Sequence, residues 1–195
     1  MPELNFDAAY YQRFYADQAS SAVSSGEQRI QADFVAAYLR YLSIEVDSIL
    51  DVGCGLGVML AQLQAAFPRA RAQGVEFSAY LCQARGWRQG SVVDYKDEPY
   101  DLVVCHDVLG YLSAREATRA IKNLARLTRS ALYLSVLTEE DLEICDTERT
   151  DMQQAVRPVD WYKSRLEKHF VAVGGGLFLR KPLQHPVWAL ERADD

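Results

Sequence analysis

The chain has 195 residues, which is enough for one domain with a hydrophobic core of its own. Its composition, 49% hydrophobic and 25% charged, is typical of a globular protein, and every apolar run is too short to predict a membrane span. The net charge of −6 disfavours a surface that follows the phosphate backbone of a nucleic acid. These properties predict a protein with no nucleic-acid or membrane partner.

The four cysteines lie far apart in the sequence, without a Cys-x-x-Cys pair: Cys54, Cys82, Cys105 and Cys145. No histidine cluster has the spacing of metal ligands, so no metal site is predicted. The N-terminus also lacks the basic and apolar regions of a signal peptide. Together these features predict a cytoplasmic protein with reduced thiols.

Residues 1–45 are predicted to form an N-terminal helical cap. Three aromatic residues share one face of its first helix: Phe6, Tyr10 and Phe14. A second helix is predicted from about Glu27 to Leu42, with Ser24 or Ser25 as its N-cap. The apolar stripe of this second helix is predicted to comprise Ile30, Phe34, Ala37 or Tyr38, and Tyr41.

Strands and helices alternate along the rest of the chain. Strands are predicted over residues 48–52, 72–76, 91–93, 102–106, 131–137, 171–173, 177–179 and 186–191. Helices are predicted over residues 58–67, 114–127 and 159–170, the second of them opened by a capping box of Ser113 and Glu116. Near-continuous apolar strands are typical of a parallel sheet that is covered on both faces. The pattern predicts a single, doubly wound α/β domain over residues 1–195.

The segment that joins the first predicted strand to its helix is the most informative part of the chain. Asp51 ends the strand, and glycines occupy every second position at Gly53, Gly55 and Gly57. Glycines in such a loop allow positive φ and a close approach of a ligand to the backbone, next to the free N–H groups of a helix N-terminus. A dinucleotide fingerprint requires glycine where Val58 stands, and the lysine of a P-loop is absent. The acid at the strand end suits a cationic ligand better than a pyrophosphate.

This loop resembles motif I of the class I S-adenosylmethionine-dependent methyltransferases. The resemblance implies S-adenosylmethionine as the cofactor and S-adenosylhomocysteine as its product. It implies that the methionine part of the cofactor is held by Asp51 and by the loop residues Gly53, Cys54, Gly55 and Gly57. It also implies a mostly parallel seven-stranded sheet with the strand order 3-2-1-4-5-7-6, in which the last strand is antiparallel.

Two further pairs of residues follow predicted strands. Glu76 and Phe77 resemble the family's motif II, in which the acid binds the ribose, although a solvated glutamate at a helix start is the alternative. Asp94 and Tyr95 match the positions at which the family contacts the adenine amino group and packs on the ring, although Asp94 could simply form a turn. The link from Asp94 to the next strand is too short for the helix that many members carry there.

His106 and Asp107 end the fourth predicted strand, and this segment resembles the one that lines the methyl-transfer face in the family. His106 could deprotonate an O–H or N–H nucleophile while Asp107 orients it, which makes both residues catalytic candidates. Alternatively, Asp107 caps the following turn and His106 packs beside the cofactor. Methyl transfer from a sulfonium requires alignment more than it requires a base.

Two segments outside the core fold are predicted to close over the site. In similar enzymes a tyrosine from the N-terminal region reaches the cofactor, and Tyr11 is the candidate beside Tyr10 and Tyr15. Residues 138–160 form a possible substrate lid that is rich in acids. These acids would favour a cationic or amine-bearing substrate, but a solvated helical face explains them as well.

The absence of several known motifs reduces the number of possible classes of methyl acceptor. The chain has no Pro-Pro-aromatic motif after the fourth strand, no Pro-Cys pair and no Asp-Asp-Asn set, which leaves a small molecule as the favoured substrate class. The leading hypothesis is therefore a small-molecule methyltransferase. An NAD(P)-dependent oxidoreductase and a non-catalytic module that binds S-adenosylmethionine or S-adenosylhomocysteine are the alternatives, and both a monomer and a homodimer are open.

Overall fold

The computed structural model describes residues 24–147 and 149–192. Within them five α-helices are present: α1 (Ser25–Tyr41), α2 (Val58–Ala66), α3 (Ala79–Arg85), α4 (Ala114–Leu127) and α5 (Val159–Leu166). The strands are β1 (Ser48–Val52), β2 (Arg71–Glu76), β3 (Arg88–Gln89), β4 (Tyr100–His106), β5 (Thr128–Ser135), β6 (Phe170–Ala172) and β7 (Leu177–Arg180). Short 3₁₀ turns span Leu109–Tyr111, Glu140–Glu143 and Ala189–Glu191. The predicted first helix, including Tyr11, lies outside the described residues.

The strands form one sheet in the order β3-β2-β1-β4-β5-β7-β6. The strands β1 to β5 pair in parallel, whereas β7 runs antiparallel to both β5 and β6. All five residues of β1 are buried, as expected for a central strand with helices on both faces. The predicted fold, its strand order and its antiparallel last strand are therefore confirmed.

Successive side chains of a strand point to opposite faces, and this divides the core into two clusters. In β1, Ile49 packs with α1 and α2 on one face of the sheet, while Leu50 packs with α4 and α5 on the other. The same alternation places Val104 of β4 in the first cluster and Cys105 in the second. A residue at the end of a strand can therefore be assigned to a face from its neighbours two positions earlier.

Two helix starts agree with the predicted capping signals. Ser24 accepts the backbone N–H of Glu27, whose carboxylate accepts the N–H of Ser24 in return. Ser113 and Glu116 form the same reciprocal capping box at the start of α4. A good N-cap contributes about 0.5–2 kcal/mol to stability, so these two sites place both helix starts firmly.

Most of the predicted apolar stripe of α1 is wrong as a core face, although Tyr38 packs against the core. Ile30, Phe34 and Tyr41 are 69%, 45% and 63% exposed. The buried face consists instead of Ala32, Val35, Ala36 and Leu39. Among the described residues, no helix has both the length and the apolar character that crossing a membrane requires.

Two of the predicted strands are also wrong. The third strand is Arg88–Gln89 rather than 91–93, because the N–H groups of Asp94 and Tyr95 both donate to the Ser91 carbonyl and close a turn. The predicted strand 186–191 contains a 3₁₀ turn, in which the Glu191 carboxylate accepts the N–H of Trp188. In both segments a local hydrogen bond outweighs an apolar pattern.

Candidate functional site

The three glycines of the loop after β1 differ in what surrounds the position of a Cβ atom. All three have positive φ, at 77° for Gly53, 50° for Gly55 and 75° for Gly57. A Cβ added to Gly53 would lie 2.3 Å from Cγ2 of Val108, and one added to Gly57 would lie 2.5 Å from the ring of Trp87. Among the described residues, no atom lies within 4 Å of the corresponding position on Gly55. Packing against Val108 and Trp87 therefore requires glycine at positions 53 and 57, whereas the Cβ position of Gly55 is open among the described residues.

Trp87, which the sequence analysis missed, packs against this loop. Its indole N–H donates to the carbonyl of Gly55 at 3.0 Å, and its ring lies 2.7 Å from a Cβ added to Gly74. Cys54 packs at the same place, since its Sγ lies 2.8 Å from that Cβ position and its residue is 8% exposed. Burial raises the pKa of the Cys54 thiol, which is inert packing material in this position. A glycine inside β2 was the only sequence signal of this close approach.

Glu76 is a buried carboxylate at the end of β2, where only 5% of the residue is exposed. It accepts backbone N–H groups from Phe77 at 2.8 Å, from Ser78 at 3.0 Å and from Gly55 at 3.0 Å. It therefore holds the turn that leads into α3, whose N-cap is Ser78, and at the same time joins β2 to the glycine loop. A solvated glutamate, the alternative interpretation from the sequence, does not describe this side chain.

Asp51 lies on the neighbouring strand and is more deeply buried, with 3% of the residue exposed. Burial and, second, the charge of Glu76 raise the pKa of Asp51 to about 7. Among the described residues, no N–H or O–H group donates to its carboxylate, and no hydrogen bond contributes to the pKa shift. A buried carboxylate without a donor, beside a second carboxylate, is an unfavourable arrangement that a cationic ligand would relieve.

Phe77, Asp94 and Tyr95 were also predicted to bind the cofactor, and two of the three lie near the end of β2. Phe77 is 63% exposed and follows Glu76 directly. The ring of Tyr95 lies against Gly90, where an added Cβ would be 2.9 Å from it, and the Gly90 N–H donates to the carbonyl of Glu76. Asp94 is exposed in the turn after β3. The structure thus brings Tyr95 to the end of β2, whereas Asp94 has the position of a turn-forming residue.

His106 and Asp107 end β4 in an unusual backbone conformation. Asp107 has a φ of 55°, and its N–H donates to the carbonyl of Ser135 at 2.9 Å. Nδ1 of His106 lies 3.4 Å from the Asp107 carboxylate, while the imidazole stacks on the ring of Tyr133 with a centroid distance of 6.2 Å and an angle of 15°. The second ring nitrogen, Nε2, is buried without a hydrogen-bond partner in the described part of the chain.

The sheet register places these groups on one face. Asp51 pairs with Val104, and Val104 pairs with Tyr133, so the three form a row across β1, β4 and β5. His106 lies two residues after Val104 and therefore points to the same face. Burial and the nearby charge of Asp107 raise the pKa of Tyr133 to about 12. Tyr133 was missed because nothing in the sequence predicts which residue of β5 lies opposite Val104.

The turn after Asp107 is held by Arg157, a third residue that the sequence analysis did not select. Arg157 is 7% exposed and donates to the carbonyls of Leu109 and Leu112 in this turn. It also donates to the Tyr162 hydroxyl at 3.1 Å. Its guanidinium lies 5.0 Å from the centre of the Trp161 ring. The segment before α5 is thereby joined to the end of β4.

Two acids of the predicted lid, residues 138–160, form hydrogen bonds within the segment itself. The Glu140 carboxylate accepts the N–H of Val159 at 2.9 Å, and the Asp141 carboxylate accepts both the N–H and the hydroxyl of Thr138. Asp151 is 8% exposed and accepts the hydroxyl of Tyr111 at 3.1 Å. Glu148, another predicted lid acid, lies outside the described residues. Structural roles therefore account for part of the predicted acidic surface.

Comparisons with known proteins agree with this geometry. Residues 50–130 match the model of a family described as "Methyltransferase domain". The structure of DesVI from Streptomyces venezuelae has 16% sequence identity and a TM-score of 0.60, and the alignment covers 80% of this chain and 92% of that protein. No curated protein sequence matches the chain.

Two further solved structures have the same fold. The sugar N-methyltransferase KedS8 from Streptoalloteichus sp. ATCC 53650 has 19% identity and a TM-score of 0.57, covering 77% of this chain and 85% of that one. The magnesium protoporphyrin IX methyltransferase from Synechocystis PCC 6803, solved with bound S-adenosylhomocysteine, has 19% identity and a TM-score of 0.58, covering 78% and 83%. Residues 50–130 thus match a methyltransferase-domain model, and the chain has the fold of these methyltransferase structures.

Proposed function

We propose that the protein transfers the methyl group of S-adenosylmethionine to a small-molecule acceptor. The observation that carries this proposal is Asp51, a buried carboxylate without a donor among the described residues, at the edge of the glycine loop. The methionine part of the cofactor carries an ammonium group, which would supply the missing donor and a compensating positive charge. The backbone of Gly55, whose Cβ position is open, would face the same part of the cofactor.

The other end of the cofactor would lie along the end of β2. We expect the ribose hydroxyls to donate to Glu76, which the loop and the start of α3 hold in place. Phe77 and Tyr95 are the proposed walls of the adenine site, with Asp94 at its rim. Tyr11 stays a proposal, because it lies outside the described residues.

When bound, the cofactor supplies a methyl group that its sulfonium already activates. The protein's task would then be to align the acceptor with this methyl group and to exclude water, an effect worth roughly 7–11 kcal/mol. His106 and Asp107 are proposed to line the transfer side, and residues 138–160 to act as the lid of a single domain that spans the chain. Two structural neighbours whose names specify a sugar and a porphyrin support a small-molecule acceptor.

A thermal-shift experiment tests the cofactor. S-Adenosylmethionine and S-adenosylhomocysteine should raise the midpoint of unfolding, because a ligand that binds the native state stabilises it, and NAD should not. Asp51→Asn should abolish most of this shift. The matched control is Asp47→Asn, which changes an exposed aspartate directly before the first residue of β1. Stabilisation by NAD alone, or an unchanged shift in Asp51→Asn, would refute the proposal.

A second measurement separates an enzyme from a cofactor-binding module. Methyl transfer from labelled S-adenosylmethionine to a panel of phenols, primary amines, thiols and carboxylates would be measured on the full chain. Transfer that Asp51→Asn removes and Asp47→Asn preserves would support the enzyme. Binding of both cofactor forms with no transfer to any class would favour the non-catalytic alternative.

A further inference from the structure

The two nitrogens of the His106 imidazole have different surroundings. Nδ1 lies 3.4 Å from the Asp107 carboxylate, whereas Nε2 is buried and has no hydrogen-bond partner among the described residues. Buried polar atoms without partners are rare in folded proteins, and each such case calls for a specific explanation. An atom of a bound substrate would supply the missing partner.

The backbone around Asp107 determines which nitrogen carries the proton. The positive φ of Asp107, a conformation that aspartate tolerates better than most residues, turns its carboxylate back toward the preceding imidazole. The hydrogen bond from its N–H to Ser135 holds this conformation. Since a carboxylate only accepts hydrogen bonds, the proton of the neutral imidazole belongs on Nδ1, and Nε2 carries the lone pair.

The ring is also fixed in position. Its stacking on Tyr133 restricts the rotation of the imidazole, and the ring of Tyr133 is itself buried. His106 shares the sheet face of Asp51, so its ring lies on the side of the sheet where the methionine part of the cofactor is proposed to bind. A lone pair that is buried, oriented and on this face has the properties of a general base.

We infer that His106 is the general base of the reaction, that Asp107 and Tyr133 are its positioning residues, and that the methyl acceptor is a proton-bearing oxygen or nitrogen nucleophile. This inference rests on the proposed function. In the transfer step, the nucleophile forms a bond to the methyl carbon, and the carbon–sulfur bond breaks with its electron pair left on sulfur. The proton of the nucleophile passes to Nε2 and then to water. The Asp107 carboxylate stabilises the imidazolium in the interval.

The deciding experiment determines the tautomer of His106. It uses long-range ¹H–¹⁵N correlation on histidine-labelled protein that is saturated with S-adenosylhomocysteine. The chain has three histidines, so single substitutions of His169 and His185 assign the signals. We expect the neutral ring of His106 to carry its proton on Nδ1. Asp107→Asn, which keeps a residue that tolerates positive φ, should shift the population toward the Nε2–H tautomer. Tyr133→Phe, which keeps the ring stack, should leave the tautomer unchanged.

A rate measurement then tests the role. His106→Gln should lower single-turnover methylation of a phenol or a primary amine by about 10²- to 10⁴-fold, while the thermal shift with S-adenosylhomocysteine is retained. A proton on Nε2 in the unmodified protein, a tautomer ratio that Asp107→Asn does not change, or an unchanged rate in His106→Gln would overturn the inference. If S-adenosylhomocysteine gives no thermal shift in the unmodified protein, the proposed function is refuted instead. Failure of the inference and failure of the proposed function are therefore distinguishable.

Discussion

The carboxylate of Glu76 accepts the backbone N–H of Gly55 at 3.0 Å, which ties the end of β2 to the loop after β1. On the other side of the same residue, the indole N–H of Trp87 donates to the Gly55 carbonyl at 3.0 Å. Side chains therefore hold both polar backbone groups of Gly55, although Gly55 faces open space. A loop that is ordered before a ligand arrives loses less conformational entropy on binding.

The first prediction concerns this link. Glu76→Gln should lower the free energy of unfolding by about 1–3 kcal/mol, because an amide cannot accept from all of the N–H groups that the carboxylate now accepts. It should also reduce the thermal shift with S-adenosylhomocysteine. Urea denaturation with and without this ligand measures both effects, and Glu98→Gln, an exposed change of the same kind, is the control. Equal stability of the two variants would contradict the prediction.

The second prediction separates the glycines of the loop. Gly55→Ala should cost about 1–2 kcal/mol of stability from its positive φ, and it should also weaken cofactor binding by about tenfold. Gly174→Ala is a matched control, since its φ is 84° and no described atom lies within 4 Å of the added Cβ. It should cost a similar amount of stability without affecting binding. Calorimetric titration with S-adenosylhomocysteine measures the affinity, and a normal affinity in Gly55→Ala would exclude close approach of the ligand.

The third prediction is a pH dependence that follows from Asp51. Its pKa of about 7 in the folded protein means that the carboxyl is mostly neutral at pH 6 and mostly ionised at pH 8. An ammonium ligand requires the ionised form, so the affinity for S-adenosylhomocysteine should rise by about tenfold between these pH values and then level off. Asp51→Asn should remove the dependence. Affinity that falls over this range would show that Asp51 does not receive the ammonium.

Asp51 should also change the stability of the ligand-free protein with pH, in the opposite direction. Because its pKa is raised on folding, the folded state holds the proton more tightly than the unfolded chain does. The contribution of Asp51 to stability is therefore largest below its unfolded pKa and decreases as the pH rises to about 7. Urea denaturation of the protein and of Asp51→Asn at pH 5 and pH 8 would measure the difference.

The fourth prediction concerns Arg157. Arg157→Met should lower the free energy of unfolding by about 3 kcal/mol, because it removes the side-chain donor to the Leu112 carbonyl and one of the two donors to the Leu109 carbonyl. The control is Arg165→Met, since the Arg165 guanidinium also lies over the Trp161 ring, 3.8 Å from its centre, and the residue is less buried. The control should lose about 1 kcal/mol or less. Similar losses in both variants would mean that Arg157 acts only through its stacking on Trp161.

Several elements were predictable because their signals are local. The bounds of β1 and the start of α4 follow from an apolar run and a capping box, and both were confirmed. Where a locally hydrogen-bonded turn competes with an apolar pattern, the prediction was wrong, as for residues 91–93, which form a turn closed on the Ser91 carbonyl. The buried face of α1 was also wrong, since large apolar residues need not be the ones that contact the core.

The sequence by itself determined the glycine loop and Asp51 at its edge, because these depend on residues close together in the chain, and the resemblance that this loop carries predicted the fold. Only the tertiary structure decided the role of each glycine. Val108 and Trp87 come from other parts of the chain and fill the space at Gly53 and Gly57, whereas no described residue fills it at Gly55. It also decided that Tyr133 stacks on His106, through a strand register that no local pattern encodes. Contacts between distant segments depend on how strands align and helices pack, and that is settled only when the whole core is assembled.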